Sequence, residues 1–186
     1  MTLPSVDPFF LVGGTALALQ MGHRVSIDLD LFTPEVFDKN HLLESLYPDF
    51  QVSVESESQQ MLLTYIDDVK VDFVKMGYPI LFPTLVVEGI RMLDIRDIAA
   101  MKLKAIAQRG SKKDFYDIYF LTDILTIEEM LSIFQDKFKQ HEVFHIVKSL
   151  TYFEDAEAFA DPIVFDKKIT WVKVKKLINE EVKKLI

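Results

Sequence analysis

The sequence contains no cysteine, so neither a disulfide framework nor a thiolate-ligated zinc centre can hold the chain together. It has no apolar run of about 18 residues and no charged-then-apolar leader with a cleavage site, which argues against a membrane span and a signal peptide and for a cytoplasmic chain. Glycine is scarce, six in 186 residues, and two of the six stand side by side at Gly13 and Gly14. Positive charge is in deficit as well. Against 29 Asp and Glu there are 21 Lys and Arg, a net charge of −8 that argues against broad nonspecific affinity for nucleic acid. The basic residues that exist gather between Lys102 and Lys113 and again near the C-terminus, where they form either solvated helix faces or local contacts for RNA. What the chain has in quantity is apolar surface. A hydrophobic content of 49% with fifteen Phe suffices for one well-packed domain or for two small lobes sharing a cleft.

The stretch that organises the rest is Gly13-Gly14-Thr15-Ala16-Leu17-Ala18-Leu19 followed by Arg24-Val25-Ser26-Ile27-Asp28-Leu29-Asp30-Leu31-Phe32. The first part reads as a glycine turn into a short helix over about 15–21, ended by Gly22 as a left-handed cap. Free N–H groups at the start of that helix, beside glycines that let a ligand approach the backbone, favour a phosphate, so Gly13, Gly14 and Thr15 are candidate nucleotide contacts. The second part alternates with period two, which predicts a strand with Ser26, Asp28 and Asp30 on one face and Ile27, Leu29 and Leu31 buried on the other. Two carboxylates on one face repel unless a cation lies between them. A hard divalent ion such as Mg²⁺, which takes carboxylate oxygens, waters and phosphates, is the natural partner. Ser26 points to the same side and is placed to hydrogen-bond a metal-bound water or substrate. Arg24 meets either a phosphate or a nearby acid.

The remaining segments are read more coarsely. Residues 1–10, with Pro4 and Pro8, form a lead-in. Thr33-Pro34-Glu35 resembles a helix entry, giving a helix over about 35–46 with Val36, Leu42, Leu43 and Leu46 inward and His41 on its polar side. Strand-like runs follow at 50–55, 61–66 and 69–74, the last two joined by a turn at Asp67-Asp68. Two prolines between Tyr78 and Leu93 suggest a connecting strand or two and a junction between lobes. A helix capped by Asp94 spans 95–108 and stops at Gly110. Thr126 and Glu129 form a capping box for a helix to about Lys139. Another helix lies near 142–152, a loop covers Phe153 to Glu157 and Pro162, and Thr170–Ile186 forms a final amphipathic helix whose apolar stripe belongs to the core.

Gly13-Gly14 with Asp28-Leu29-Asp30 resembles the first motif of the polymerase-β-type nucleotidyltransferases. More narrowly, the two quoted stretches resemble the AbiEii toxin family of AbiE-type toxin–antitoxin and phage-resistance systems, of which the mycobacterial MenT toxins are relatives. A second stretch carries the same likeness: Asp97-Ile98-Ala99-Ala100-Met101-Lys102-Leu103-Lys104-Ala105-Ile106, then Arg109, Lys112, Lys113, Asp114 and Asp117. The resemblance implies an α+β nucleotidyltransferase fold, a small mixed or antiparallel sheet flanked by helices over residues 1–93, followed by a helical lobe over 94–186 that completes the active-site cleft. It implies a third metal-binding carboxylate on a strand alternating apolar and charged residues, which here is Asp72. It also implies an active-site lysine and aspartate, here Lys102, whose ammonium would stand near the phosphates, and Asp114, with Asp117 in support.

The implied chemistry is transfer of a nucleoside monophosphate from an NTP to an acceptor hydroxyl with release of pyrophosphate. Asp28, Asp30 and Asp72 would hold Mg²⁺ or Mn²⁺, and a pair of such ions suits the reaction. The implied partners are an NTP, the 3′ end of tRNA and a cognate antitoxin. Two other readings fit the same residues: a small-molecule nucleotidyltransferase acting on an aminoglycoside-like acceptor, favoured by the acidic net charge, and a non-catalytic nucleotide-binding module.

Overall fold

The computed structural model describes residues 3–185. After a single 3-10 turn at Pro4–Val6 the chain runs through β1 (Phe10–Val12), α1 (Gly13–Met21), β2 (Leu29–Thr33), α2 (Lys39–Leu46), β3 (Val52–Ser58), β4 (Met61–Ile66), β5 (Val69–Lys75), β6 (Leu85–Val87) and β7 (Ile90–Met92). Helices α3 (Ile95–Arg109), α4 (Lys112–Leu121), α5 (Ile127–Phe138), α6 (Phe144–Leu150), α7 (Glu154–Glu157) and α8 (Trp171–Lys183) complete it. The fold is α+β, with one mixed seven-stranded sheet ordered β3-β4-β5-β2-β1-β7-β6. Two compact units emerge. One comprises the chain up to Ala16 together with Ser26–Asp94, the other Leu17–Val25 together with the chain from Ile95 onward. The second unit therefore includes a segment, 17–25, that a linear division at 93/94 leaves with the first.

In the first unit β1, which the lead-in reading of residues 1–10 overlooks, is an interior strand beside the central β2. β1 pairs antiparallel with β2 and parallel with β7, and β2 pairs parallel with β5. Alternation along these strands buries Leu11, Leu31, Val71 and Phe73, with Leu62 of β4, on one face. Phe9, itself fully buried, packs edge-on against Phe37 and Phe73. The hairpin between β4 and β5 turns at Asp67 and Asp68, both with positive φ (46° and 66°), the twist that suits a two-residue hairpin loop. The helix expected over 35–46 starts later. Thr33 stays in β2 opposite Lys75, its hydroxyl accepts the Glu35 N–H, and α2 begins only where the Asp38 carboxylate accepts the N–H groups of Asn40 and His41. Val36 is consequently exposed, whereas Leu42 and Leu46 are buried and His41 faces solvent.

The second unit is helical. α3 buries Ile98, Ala99, Leu103 and Ile106, and α5 opens on the Thr126/Glu129 capping box. The stretch 153–157, expected as loop, contains the single helical turn α7 with Ala156 buried. In α8, capped by Thr170, the buried positions Trp171, Val174, Ile178 and Val182 form one stripe; Ile186, to which the helix is expected to extend, lies outside the described residues. Lys137 of α5 donates to Asp97 at the start of α3 at 2.5 Å, both side chains fully buried. Burial pushes the Lys137 ammonium below its usual range, and the Asp97 carboxylate opposes that shift. Among the described residues no helix is long and apolar enough to cross a membrane.

Candidate functional site

The sheet unit gathers the glycine pair and the three candidate carboxylates. Antiparallel pairing sets Val12 opposite Asp30, and parallel pairing sets Asp30 opposite Asp72. Residues in register on neighbouring strands, about 4.8 Å apart, project to the same face, so Asp30 and Asp72 share the side opposite Leu31, Val71 and Phe73. Gly13 adopts φ +68° and lies directly against the Asp30 carboxylate. A Cβ built there would overlap Oδ2 and stand 3.0 Å from Cγ. Only glycine allows this close approach, and the start of α1 beside it favours the negative charge.

The strand expected from Ser26 to Leu31 is shorter. β2 begins at Leu29, where it first finds a partner in Val71, and Ser26–Asp28 form an extended approach outside the sheet. Without a strand partner, alternation no longer dictates burial, and Ile27 is 73% exposed instead of buried. Thr15 holds this approach in place. Its hydroxyl donates to the Asp28 carbonyl and lies 2.9 Å from the Ser26 hydroxyl. Thr15 and Ser26, expected at the substrate, here bond to each other and to the backbone that carries Asp28.

Asp72 is the exposed nerve of this face. Its Oδ1 is buried without a hydrogen-bond partner. Lys70 stands 4.0 Å from Oδ2 and divides its charge with Glu55 at 3.6 Å. Desolvation raises the Asp72 carboxyl above its ordinary value; Lys70 counteracts, and Glu55 and Asp28 push it further up. An orphaned carboxylate oxygen, a second carboxylate in register and a third near enough to repel the first are the donor set a hard divalent cation takes. The residues present fit such an ion. Among the described residues they are not drawn into a closed group of three ligands, so seating an ion there calls for side-chain adjustment, chiefly of Asp30, whose carboxylate rests on Gly13.

The helical unit holds the other candidates in a buried ionic cluster. Lys102, 3% exposed, reaches Asp114 at 2.9 Å and Asp117 at 2.6 Å. It does not stand as an open point charge. Arg24 grips Asp117 through Nε at 2.6 Å and Nη2 at 2.9 Å, the acid partner that one of its two readings expects. His23 meets the same carboxylate at 2.8 Å through Nε2, its ring against Phe120 and its Nδ1 buried without a partner. Arg109 forks onto Asp114 at 2.8 and 3.0 Å.

Burial alone would raise Asp114 and Asp117 and lower Lys102. The Lys102 ammonium, the Arg109 fork and the Arg24 and His23 hydrogen bonds instead hold both carboxyls below the usual range, Asp117 far below it. The two acids hold Lys102 above its own usual value. Three permanent cations, Lys102, Arg24 and Arg109, converge on the two carboxylates, and the Arg109 side chain is 55% exposed. Asp117, expected only in support, is the hub. The signal was in the sequence, since Asp114 and Asp117 at i and i+3 share a helix face, but nothing local connects His23 or Arg24 to a residue more than ninety positions away.

Comparison with known proteins agrees with both stretches of motif. Residues 2–184 match the model of the family described as nucleotidyl transferase AbiEii toxin, type IV TA system. An uncharacterized protein of Aquifex aeolicus is 36% identical over 195 aligned positions that cover all of this chain and 92% of the relative. Among solved structures, the nucleotidyltransferase toxin MenT4 of Mycobacterium tuberculosis superposes with a TM-score of 0.62 at 15% identity, over 97% of this chain and 77% of that one. The antibiotic-resistance factor ANT(2'')-Ia gives 0.55 at 18% identity, over 71% and 84%. At such identities the structures attest the fold, mixed sheet and helices alike; the match along nearly the whole sequence goes further, and by it this chain belongs to the AbiEii family of nucleotidyltransferase toxins.

Proposed function

We propose that the chain transfers a nucleoside monophosphate from an NTP to an acceptor hydroxyl, releasing pyrophosphate, and that it does so as the toxin of an AbiE-type toxin–antitoxin pair with tRNA as acceptor. The observation that carries the reading is the in-register pair Asp30 and Asp72 beside Gly13, with one Asp72 oxygen buried and unpartnered. Asp28, Asp30 and Asp72 would hold a divalent cation, Mg²⁺ or Mn²⁺, which supplies neutralisation of the triphosphate and acidification of the attacking hydroxyl when bound. The chain's own work is positioning. Thr15 and Ser26 fix the backbone that bears Asp28, and Gly13 lets the Asp30 carboxylate approach the start of α1. Lys102, Asp114 and Arg24 form a fixed ionic cluster in the helical unit; a direct role in transfer for Lys102 and Asp114 rests on the family likeness. A cytoplasmic site of action and a cognate antitoxin follow from the same likeness.

The net charge of −8 favours a second reading, transfer to a small cationic acceptor of the aminoglycoside kind. The two separate in one experiment: each α-labelled NTP with Mg²⁺ or Mn²⁺ is incubated with total tRNA or with an aminoglycoside. Label on tRNA, lost in the Asp28→Ala, Asp30→Ala double variant, supports the first reading. Label on the aminoglycoside alone overturns it in favour of the second. Equal NTP binding with no pyrophosphate release by either protein defeats both and leaves a nucleotide-binding module.

A further inference from the structure

The second basic stretch of the sequence has a structure that the nucleotidyltransfer chemistry leaves unused. From Lys167 to Asn179 there are five lysines and no acid, in a chain whose net charge is −8. Lys167 and Lys168 are exposed in the turns before α8, and neither forms an ion pair among the described residues. On α8 the buried stripe of Trp171, Val174 and Ile178 turns Lys173 and Lys176 to the opposite, solvent-facing side; one turn apart, they stand one above the other. Lys176 meets only Glu180, at 3.9 Å, and is 76% exposed.

Just ahead of these lysines the chain presents bare apolar side chains. Arg24 and Val164 pair as an antiparallel bridge, closed by hydrogen bonds from Val25 N–H to the Ile163 carbonyl and from Phe165 N–H to the His23 carbonyl. In such a ribbon Arg24 and Val164 share one side and the flanking positions 163 and 165 take the other. Arg24 is buried onto Asp117, whereas Ile163 is 70% and Phe165 62% exposed. The ribbon backbone is thus fixed while an aromatic ring is held out in water, with Asp166 between it and a row of solvent-facing lysines.

We infer that Phe165 with Lys167, Lys168, Lys173 and Lys176 forms a docking surface for single-stranded RNA. The ring stacks a base and the lysines follow the phosphates. An exposed aromatic beside a cationic track is the pairing that sequence-tolerant binding of single strands uses, and the local excess of lysine complements a polyanion that the rest of the chain repels. An acidic protein segment would answer the lysines but would leave the ring without a base to stack. The inference deepens the proposed function by giving an RNA acceptor a place to dock, and it rests on that reading only for the use made of the bound strand.

Binding of a fluorescein-labelled single-stranded RNA of about 12 nucleotides, followed by anisotropy over a salt series without NTP, tests it. Four lysine contacts give a slope of log K against log salt near about −3, and Lys167→Glu with Lys168→Glu halves it. Phe165→Ala weakens binding about tenfold with little change in slope. Lys39→Glu, in the sheet unit, changes neither. An intact far-ultraviolet spectrum and unchanged Mg²⁺-dependent NTP binding separate lost docking from lost folding and from lost nucleotide chemistry. Wild-type protein that does not bind the strand overturns the inference even if it releases pyrophosphate with another acceptor. So does binding that the lysine and Phe165 variants leave untouched, and so does equal, Phe165-independent capture of polyglutamate, which assigns the face to an acidic protein.

Discussion

The two charged sites of this molecule are built on opposite terms. On the sheet Asp30 and Asp72, with Asp28 just ahead of β2, bring like charges together, with one Asp72 oxygen unpartnered and its proton held more tightly than usual. In the helical unit, Asp114 and Asp117 are as deeply buried as any side chain in the chain, yet Lys102, Arg24, His23 and Arg109 satisfy them and hold them ionised. On the proposed function the first group serves to hold a cation brought from outside, whereas the second is already supplied with cations from its own chain. On that proposal the same residue type should have opposite consequences when removed, loss of stability in the helical unit and loss of function on the sheet.

The sharpest break between them is in activity. Asp28→Ala with Asp30→Ala should lower nucleotidyl transfer by about 10³–10⁴-fold, the several kcal/mol of charge stabilisation that a bound cation supplies. It should leave the thermal midpoint unchanged or slightly higher, because two repelling charges are gone. A double variant that melts well below wild type would show that the pair is structural and undo the contrast. The mirror experiment is Asp117→Ala, which removes from the interior the carboxylate that Lys102, Arg24 and His23 share. Breaking a buried pair from one side costs about 3–5 kcal/mol, read as a fall in urea midpoint. Retention of the wild-type midpoint would mean that the cluster relaxes into water and is no scaffold.

Much of this arrangement was legible in order of residues alone. The glycine pair, Asp30 and the hydrophobic-acid alternation around Asp72 follow local patterns and map to the expected elements because strand and helix periods are local physics, whereas Asp28 falls just ahead of its strand. Residues 26–28 and Val36 departed from pattern for one reason: burial on a strand or helix face presumes a partner, and the partner is chosen at long range. β1 went unread because Phe9-Phe10-Leu11-Val12 is a short apolar run whose only strand evidence is its pairing with β2 and β7. The Arg24–Asp117 grip and the Asp97–Lys137 pair are beyond any window, joining residues 93 and 40 positions apart.

A finer test separates strain from contact at the glycine corner. Gly13→Ala forces a side chain into positive φ and into the Asp30 carboxylate, whereas Gly89→Ala, at φ +78° with nothing within 4 Å, meets the strain alone. Both should lose about 1–3 kcal/mol of stability. Only Gly13→Ala should also reduce Mg²⁺-dependent NTP binding, measured by calorimetry, since only it displaces a carboxylate of the proposed site. Equal nucleotide binding by the two variants would remove Gly13 from that site.

The smallest effect is also the most diagnostic, because the two regions have opposite signs with pH. Asp114 and Asp117 titrate lower in the native state than when unfolded, so their contribution is complete above the ordinary carboxylate value of 3.8 and is lost as pH falls below it. Asp72 titrates higher in the native state, so between 3.8 and its raised value the native protein binds more protons than the unfolded chain. Its contribution to stability therefore falls as pH rises through that window. Asp72→Asn removes this downward slope, and urea unfolding of both proteins across the window should show wild type losing ground to the variant as pH rises. Mg²⁺ should restore wild type most where Asp72 is ionised and do nothing for the variant at that position, by the mass-action stabilisation of a ligand that binds only the native state. Identical pH profiles for the two proteins, with or without the cation, would show that the buried oxygen of Asp72 carries no unmet charge, and the contrast between a waiting site and a finished scaffold would lose its physical basis.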